Sequence, residues 1–253
     1  MFTRALCLLG WLGLASAVFA ADPLTVALDS TDKLTLVNVK AEVVEHRGRK
    51  CVRLTSALPA AGPRQAPPGG GQGKAGGAMA GPGRSAETLA ILTGSEFHDG
   101  TIEIEVAGEP VSNGADGMAR GFVGLAFRVD AADPEKYEAF YIRPTNGRAD
   151  DQVRRNHSAQ YISHPGFPWF RLREEFPSMY ESYVDLSPGE WTRLKIVVEG
   201  TRARLFVDGA DQPCLIVNDL KRGDTTGAVA LWTEPTTISH FRDLVVTPKA
   251  DTP

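Results

Sequence analysis

Alternation of apolar and polar side chains with a period of two runs through most of this chain. In Thr101-Ile102-Glu103-Ile104-Glu105-Val106 the isoleucines and the valine fall on one side and the glutamates on the other. Successive side chains of an extended backbone point to opposite faces, so this period belongs to half-buried β-strands. Residues 193–199 and 202–207 repeat it around the tight turn Glu199-Gly200-Thr201, and Val207-Asp208-Gly209 carries the next turn signal. Segments 39–45 and 50–56 flank His46-Arg47-Gly48-Arg49 as a further hairpin. Strands are also expected over 87–93, 121–129, 137–143, 169–173, 227–233 and 238–247, and no amphipathic helix is expected beyond the N-terminal segment. Roughly a dozen short strands joined by turns point to an all-β fold, a two-sheet antiparallel jelly-roll sandwich.

Two segments stand outside this pattern. Residues 1–20 read as a secretory signal: Arg4, an apolar run from Leu6 to Val18, and Val18-Phe19-Ala20 as a cleavage site before Ala21. That apolar run is too short to span a bilayer, so a secreted or periplasmic protein without membrane insertion is expected. The other segment is 59–84, where 20 of 26 residues are Gly, Pro or Ala. Such a composition buries too little apolar area to offset its ordering entropy, so it reads as a disordered insertion within one domain spanning 21–248, followed by a tail at 249–253. Removing Arg4 with the signal moves the formal net charge from −4 to −5. A mildly acidic chain without a basic stripe argues against nucleic acid as partner. Cys51 and Cys214 remain, as a disulfide or as two buried thiols.

Several strands carry a resemblance. Phe97-His98-Asp99-Gly100-Thr101-Ile102-Glu103-Ile104-Glu105, Gly124-Leu125-Ala126-Phe127-Arg128 and Tyr137-Glu138-Ala139-Phe140 resemble the opening strands of concanavalin A-like lectin/glucanase domains. Pro188-Gly189-Glu190-Trp191-Thr192-Arg193-Leu194-Lys195-Ile196, followed by Ala203-Arg204-Leu205-Phe206-Val207-Asp208-Gly209, is similar to a hairpin of that superfamily. Gly227-Ala228-Val229-Ala230-Leu231-Trp232 and His240-Phe241-Arg242-Asp243-Leu244 resemble its closing strands. The laminin-G-like and 3-keto-disaccharide hydrolase-like branches match best. The resemblance implies a concanavalin A-like sandwich binding carbohydrate on its concave face and, for the hydrolase branch, cleavage of a modified glycoside. The fold hosts binders and enzymes alike, so a non-catalytic glycan- or protein-binding module at the cell surface is the alternative.

The chemistry-bearing residues concentrate between Tyr137 and Tyr183, a stretch rich in arginine, asparagine, histidine and tyrosine. Planar polar groups beside aromatic faces suit a sugar, whose ring stacks while its hydroxyls are hydrogen-bonded. Read as a strand, Trp169-Phe170-Arg171-Leu172-Arg173 sends Trp169, Arg171 and Arg173 to one face, and the strand expected over 137–143 places Tyr137, Tyr141 and Arg143 together. With Arg128 and Arg154 these form the expected ligand-binding set. Glu138 and His157 are the expected acid/base groups. Glu103 and Glu105 read as a solvated strand face, and Trp191 and Trp232 as core packing. His157 and His164 lack zinc-site spacing, so no metal or cofactor is expected, calcium being the one ion that Asp99, Asp150, Asp151 and Asp243 leave open.

Overall fold

The computed structural model describes residues 22–58, 87–111 and 119–250; the expected signal segment and the 59–84 insertion lie outside the described residues. Fifteen strands and three short helices are found there. The strands are β1 (Leu24–Val26), β2 (Leu34–Val37), β3 (Val39–His46), β4 (Arg49–Ser56), β5 (Leu89–Leu92), β6 (Gly100–Pro110), β7 (Val123–Val129) and β8 (Tyr137–Ile142). They continue with β9 (Ala159–His164), β10 (Glu181–Ser182), β11 (Thr192–Glu199), β12 (Arg202–Val207), β13 (Leu215–Val217), β14 (Ala228–Thr233) and β15 (Thr237–Pro248). The helices are α1 (Pro144–Gly147), α2 (Gln152–Arg155) and α3 (Trp169–Glu175).

Two antiparallel sheets face each other. The first runs β13-β12-β11-β6-β15-β4-β3, with β1 also paired to β15; the second runs β10-β9-β8-β7-β14-β5-β2. In the first sheet the alternation read from the sequence holds. Ile104 lies opposite Leu194 and Ile102 opposite Ile196, all buried, while their neighbours alternate outward. The outward Glu103 pairs with Arg193, and Glu105 with Arg49 and Arg242, so this is a charged outer face. The second sheet contributes Val123, Leu125, Phe127, Phe140 and Leu231 to the same core.

The second sheet is buried on both faces, which alternation does not announce. Every residue of β7 and β8 is buried. On the face away from the core, Tyr137, Tyr141 and Trp232 lie over a floor of Gly124, Ala126, Ala139 and Ala230. Tyr141 stacks on Trp232 with ring centroids 4.6 Å apart, and the Trp232 indole donates to the Tyr137 hydroxyl at 3.1 Å. Gly124 makes room for this layer, because a Cβ there would run into the backbone and Cβ of Tyr141. Trp232 thus packs as expected. Trp191 does not: its indole meets His46 and His240 edge-on, with Arg49 and Arg242 nearby, on the outer side of the first sheet.

Two expectations need correction. No helix was expected, yet three short ones occupy the 144–175 region. The segment 169–173 is the first turn and a half of α3, entered from Pro168 in extended conformation and anchored by buried Leu172. A heptapeptide with one buried leucine satisfies either period, and its docking on β9 decides. The cysteines are free thiols. Cys51 is on β4 and Cys214 precedes β13, five strand spacings apart in one sheet, about 24 Å and far beyond the ~7 Å a disulfide spans. Burial pushes the Cys214 thiol up to about 11. Among the described residues, no helix is long and apolar enough to cross a membrane.

Candidate functional site

Strand β10 is the free edge of the second sheet, and β10 with its flanking residues Ser178 and Tyr183 borders, together with α2 and the two residues after it, a hollow of about 350 Å³. Val153, Asn156, His157, Ser178, Glu181, Ser182 and Tyr183 line it. Local rules place these groups. Asp151 caps α2 by accepting from the Arg154 N–H at 3.0 Å, which sends Val153 outward and sets Asn156 and His157 just past the helix end. Glu181 pairs with Gln160 on β9, so its carboxylate emerges on the same face as the aromatic layer.

Glu181 is the centre of the arrangement. Its carboxylate accepts from Arg173 at 2.7 Å, and His157 Nδ1 approaches the same oxygen to 2.7 Å, too obliquely for a directed hydrogen bond. Burial would raise this carboxyl, but His157 and Arg173 together hold it below its ordinary value, so it is a carboxylate at neutral pH. Arg173 in turn lies over the Trp169 ring, 4.8 Å from its centroid. Beneath, Arg143 donates to the His157 carbonyl at 2.8 Å, to the Tyr141 hydroxyl at 2.8 Å and to Gln160 at 3.1 Å. Arg154 ties α2 to α1 through Asn146 at 3.0 Å, and Asn146 donates to the same His157 carbonyl. At the rim, Arg155 spans the Tyr183 ring at 4.9 Å and donates to its hydroxyl at 2.8 Å.

The structure therefore brings His157, Tyr141, Arg143, Arg154, Trp169 and Arg173 into one connected network, with His157 alone of these on the wall of the hollow. The others are supporting groups. The helix separates Arg171 from Trp169 and Arg173, because residues four apart share a helix face and residues two apart do not. Arg171 pairs instead with Glu175 and covers the Phe167 ring.

Glu138 and Arg128, expected as an acid/base group and a ligand-binding group, lie elsewhere. Glu138 shares the core-facing side with Phe127 and is fully buried. Its two oxygens accept from the Tyr161 hydroxyl at 2.5 Å and the Arg222 N–H at 2.7 Å, which leaves no approach for a substrate. Burial pushes its carboxyl up, against the lowering effect of those two hydrogen bonds. Arg128 is fully buried at φ 52°, where it donates to the carbonyls of His98, Gly200 and Gly223 and to Asp99. It clasps three loops and faces no cavity.

The candidate calcium ligands do not converge. Asp99 serves Arg128, Asp151 caps α2 and Asp243 pairs with Arg242. Glu181, Ser182, Tyr183, Ser178 and Val153 are the wall residues to which the sequence assigned no role. The one signal available was the Tyr180-Glu181-Ser182-Tyr183 run, in which an acid lies between two tyrosines.

No protein-family model matches the chain, and no curated protein matches it. Solved structures do. A carbohydrate-binding module from Bacillus subtilis, CBM66, superposes with a TM-score of 0.51 at 13% identity, covering 84% of this chain and 93% of that one. A Bacillus subtilis protein of unknown function with a galectin-like fold gives 0.53 at 11% identity, covering 92% and 99%. The fold is a concanavalin A-like jelly roll. In this jelly roll, the face of the second sheet opposite the core is filled by the protein's own tyrosines and tryptophan, and the described hollow opens at the β10 edge instead.

Proposed function

We propose that the protein recognises a carbohydrate, with a sugar ring held in the edge hollow between Tyr183 and the His157–Glu181 pair. A sugar ring offers an apolar face and a rim of hydroxyls, so it asks for one flat apolar surface and a few fixed polar groups. Tyr183 supplies the surface, braced by Arg155; Asn156, His157 and Glu181 supply donors and acceptors whose orientations are set by α2, Arg173 and β10. That conjunction of a braced, exposed tyrosine and an immobilised imidazole–carboxylate pair carries the reading. The likeness to a carbohydrate-binding module supports it. The 1–20 segment supports export, to the periplasm or beyond.

Binding is favoured over glycoside hydrolysis. Hydrolysis by paired carboxyls needs two of them about 5–5.5 Å or about 6.5–9.5 Å apart. Among the described residues Glu181 is the one carboxylate lining the hollow. A second reading, turnover of a modified sugar such as a 3-keto-glycoside, rests on His157 standing on the wall of the hollow 2.7 Å from Glu181, where a ring rotation would let the carboxylate orient the imidazole as a base.

Glycan-array and calorimetric titration of wild type and Tyr183→Ala test the proposal. Wild type is expected to bind, and the variant to lose at least about tenfold in affinity, roughly 1.4 kcal/mol. Equal binding by both, or none by wild type, would reject the site. Incubation with 3-keto-glycosides addresses the second reading: turnover present in wild type and abolished in His157→Ala would establish it.

A further inference from the structure

On the far side of the molecule from the second sheet, the outer face of the first sheet gathers two histidines and a glutamate. His46 ends β3, His240 lies on β15 and Glu109 on β6. The register sets Ile238 opposite Glu109 and His240 opposite Ala107, so Glu109 and His240 are diagonal neighbours on one face. One ring nitrogen of each histidine and one carboxylate oxygen lie within 4.8 Å of one another. The two imidazoles are stacked, centroids 3.9 Å apart and planes 14° from parallel, and Trp191 stands edge-on to both.

We propose that His46, His240 and Glu109 form a binding site for a divalent transition metal of the zinc class. Two imidazoles and one carboxylate are a nitrogen-rich donor set that suits zinc and its neighbours, whereas calcium and magnesium take oxygen ligands almost throughout. Ligands about 2.0–2.1 Å from a tetrahedral ion stand ~3.4 Å from one another, and the ion lies in the plane of each imidazole, so binding requires one of the two stacked rings to turn out of the stack.

A second observation points to a ligand independently. His240 is 4% exposed, yet its Nδ1 is buried with no hydrogen-bond partner. Leaving a buried polar nitrogen unpaired is costly, and a bound group that uses the imidazole would remove that cost. The surroundings also resemble those of a metal-bound histidine: His46 Nε2 lies 2.8 Å from the Gly189 carbonyl, the kind of outer contact that fixes ring orientation. Gly189 is pinned in turn, since its N–H donates to the Gly108 carbonyl at 3.0 Å, next to Glu109. The nearby arginines have acidic partners of their own, Arg53 with Glu42, Arg47 with Glu190, and Arg49 and Arg242 with Glu105.

The other grouping of this type contrasts with it. His98, Asp99 and Asp224 also lie close together, but the Arg128 guanidinium already contacts both aspartates, at 3.1 and 3.4 Å. A cation is built into that cluster by the protein itself.

The test uses untagged protein, dialysed against chelator and titrated with zinc against a chromophoric competitor, with calcium as the contrasting ion. One equivalent of zinc is expected to bind and to raise the thermal midpoint, while calcium does neither. His46→Gln and Glu109→Gln change partly exposed side chains and should fold as judged by circular dichroism. Each is expected to weaken zinc more than about tenfold and to lose the zinc-dependent thermal shift. Zinc binding of equal strength in wild type and both variants, absence of zinc binding in wild type, or an equal response to calcium would overturn the proposal.

Discussion

Replacing Arg128 by alanine is expected to lower the unfolding free energy by about 3–5 kcal/mol, the range for breaking a buried charge network from one side. The substitution removes donors from three backbone carbonyls, His98, Gly200 and Gly223, and from the Asp99 carboxylate, all at a fully buried position. Asp99 keeps only the Gly200 N–H, the three part-buried carbonyls are left to water, and the three loops lose their common tie. Arg128→Lys should recover only part of the loss. A compact ammonium carries the charge but cannot span the directions that the planar guanidinium reaches. Urea unfolding of the three proteins measures this, and a loss under about 1 kcal/mol for the alanine variant would show that the clasp is dispensable. None of the partners of Arg128 lines the hollow, so sugar binding below the melting range should survive the change.

Glu181 is the position where stability and binding should fall together. Glu181→Ala leaves Arg173 and His157 without their shared carboxylate. The expected destabilisation is about 2–3 kcal/mol, below the full cost of a stranded buried charge because Arg173 keeps some solvent access. Sugar affinity should drop by at least about tenfold through loss of an acceptor.

The pH dependence has a definite sign. Burial acts to raise the Glu181 carboxyl, and the histidine and arginine more than offset it, so the folded-state pKa lies below the unfolded one. The pair's contribution is therefore complete above the ordinary glutamate range, near 4.5, and is lost as pH falls below it through the lower folded value. Glu181→Gln should accordingly show a shallower loss of stability than wild type between neutral and strongly acidic pH. An acid limb identical in both would mean that the carboxylate is not ionically engaged.

Strands with one wet face and one dry face were legible from their residues alone. The β11–β12 hairpin reads directly, because Leu194, Ile196 and Val198 alternate with charged or half-exposed neighbours around Gly200. The second sheet was legible as strands but not as a surface. Tyr137, Tyr141 and Arg143 do share a side, as the period requires. What the period cannot say is that Gly124, Ala126, Ala139 and Ala230 come from three strands to form a floor on which the aromatics lie flat. An expected open groove became an internal layer.

The site shows the same division. Trp169 and Arg173 meet because α3 is a helix; had the segment been extended, Arg171 would have joined them and the network around Glu181 would differ. Seven residues with one buried leucine do not distinguish these states locally, so contact with β9 makes the choice.

The chain's own pattern determined that it folds as an antiparallel sandwich, because a period of two can bury one side of each strand only by placing two sheets face to face. It also marked the stretch between Tyr137 and Tyr183 as the place where polar and aromatic side chains concentrate. Tertiary structure decided which of those groups meet: Glu181 with His157 and Arg173, Tyr183 with Arg155, and His46 with His240 across separate strands. Those meetings depend on sheet order and on how short helices dock. Such long-range geometry is set by the packing of the whole chain and leaves no local periodicity to read.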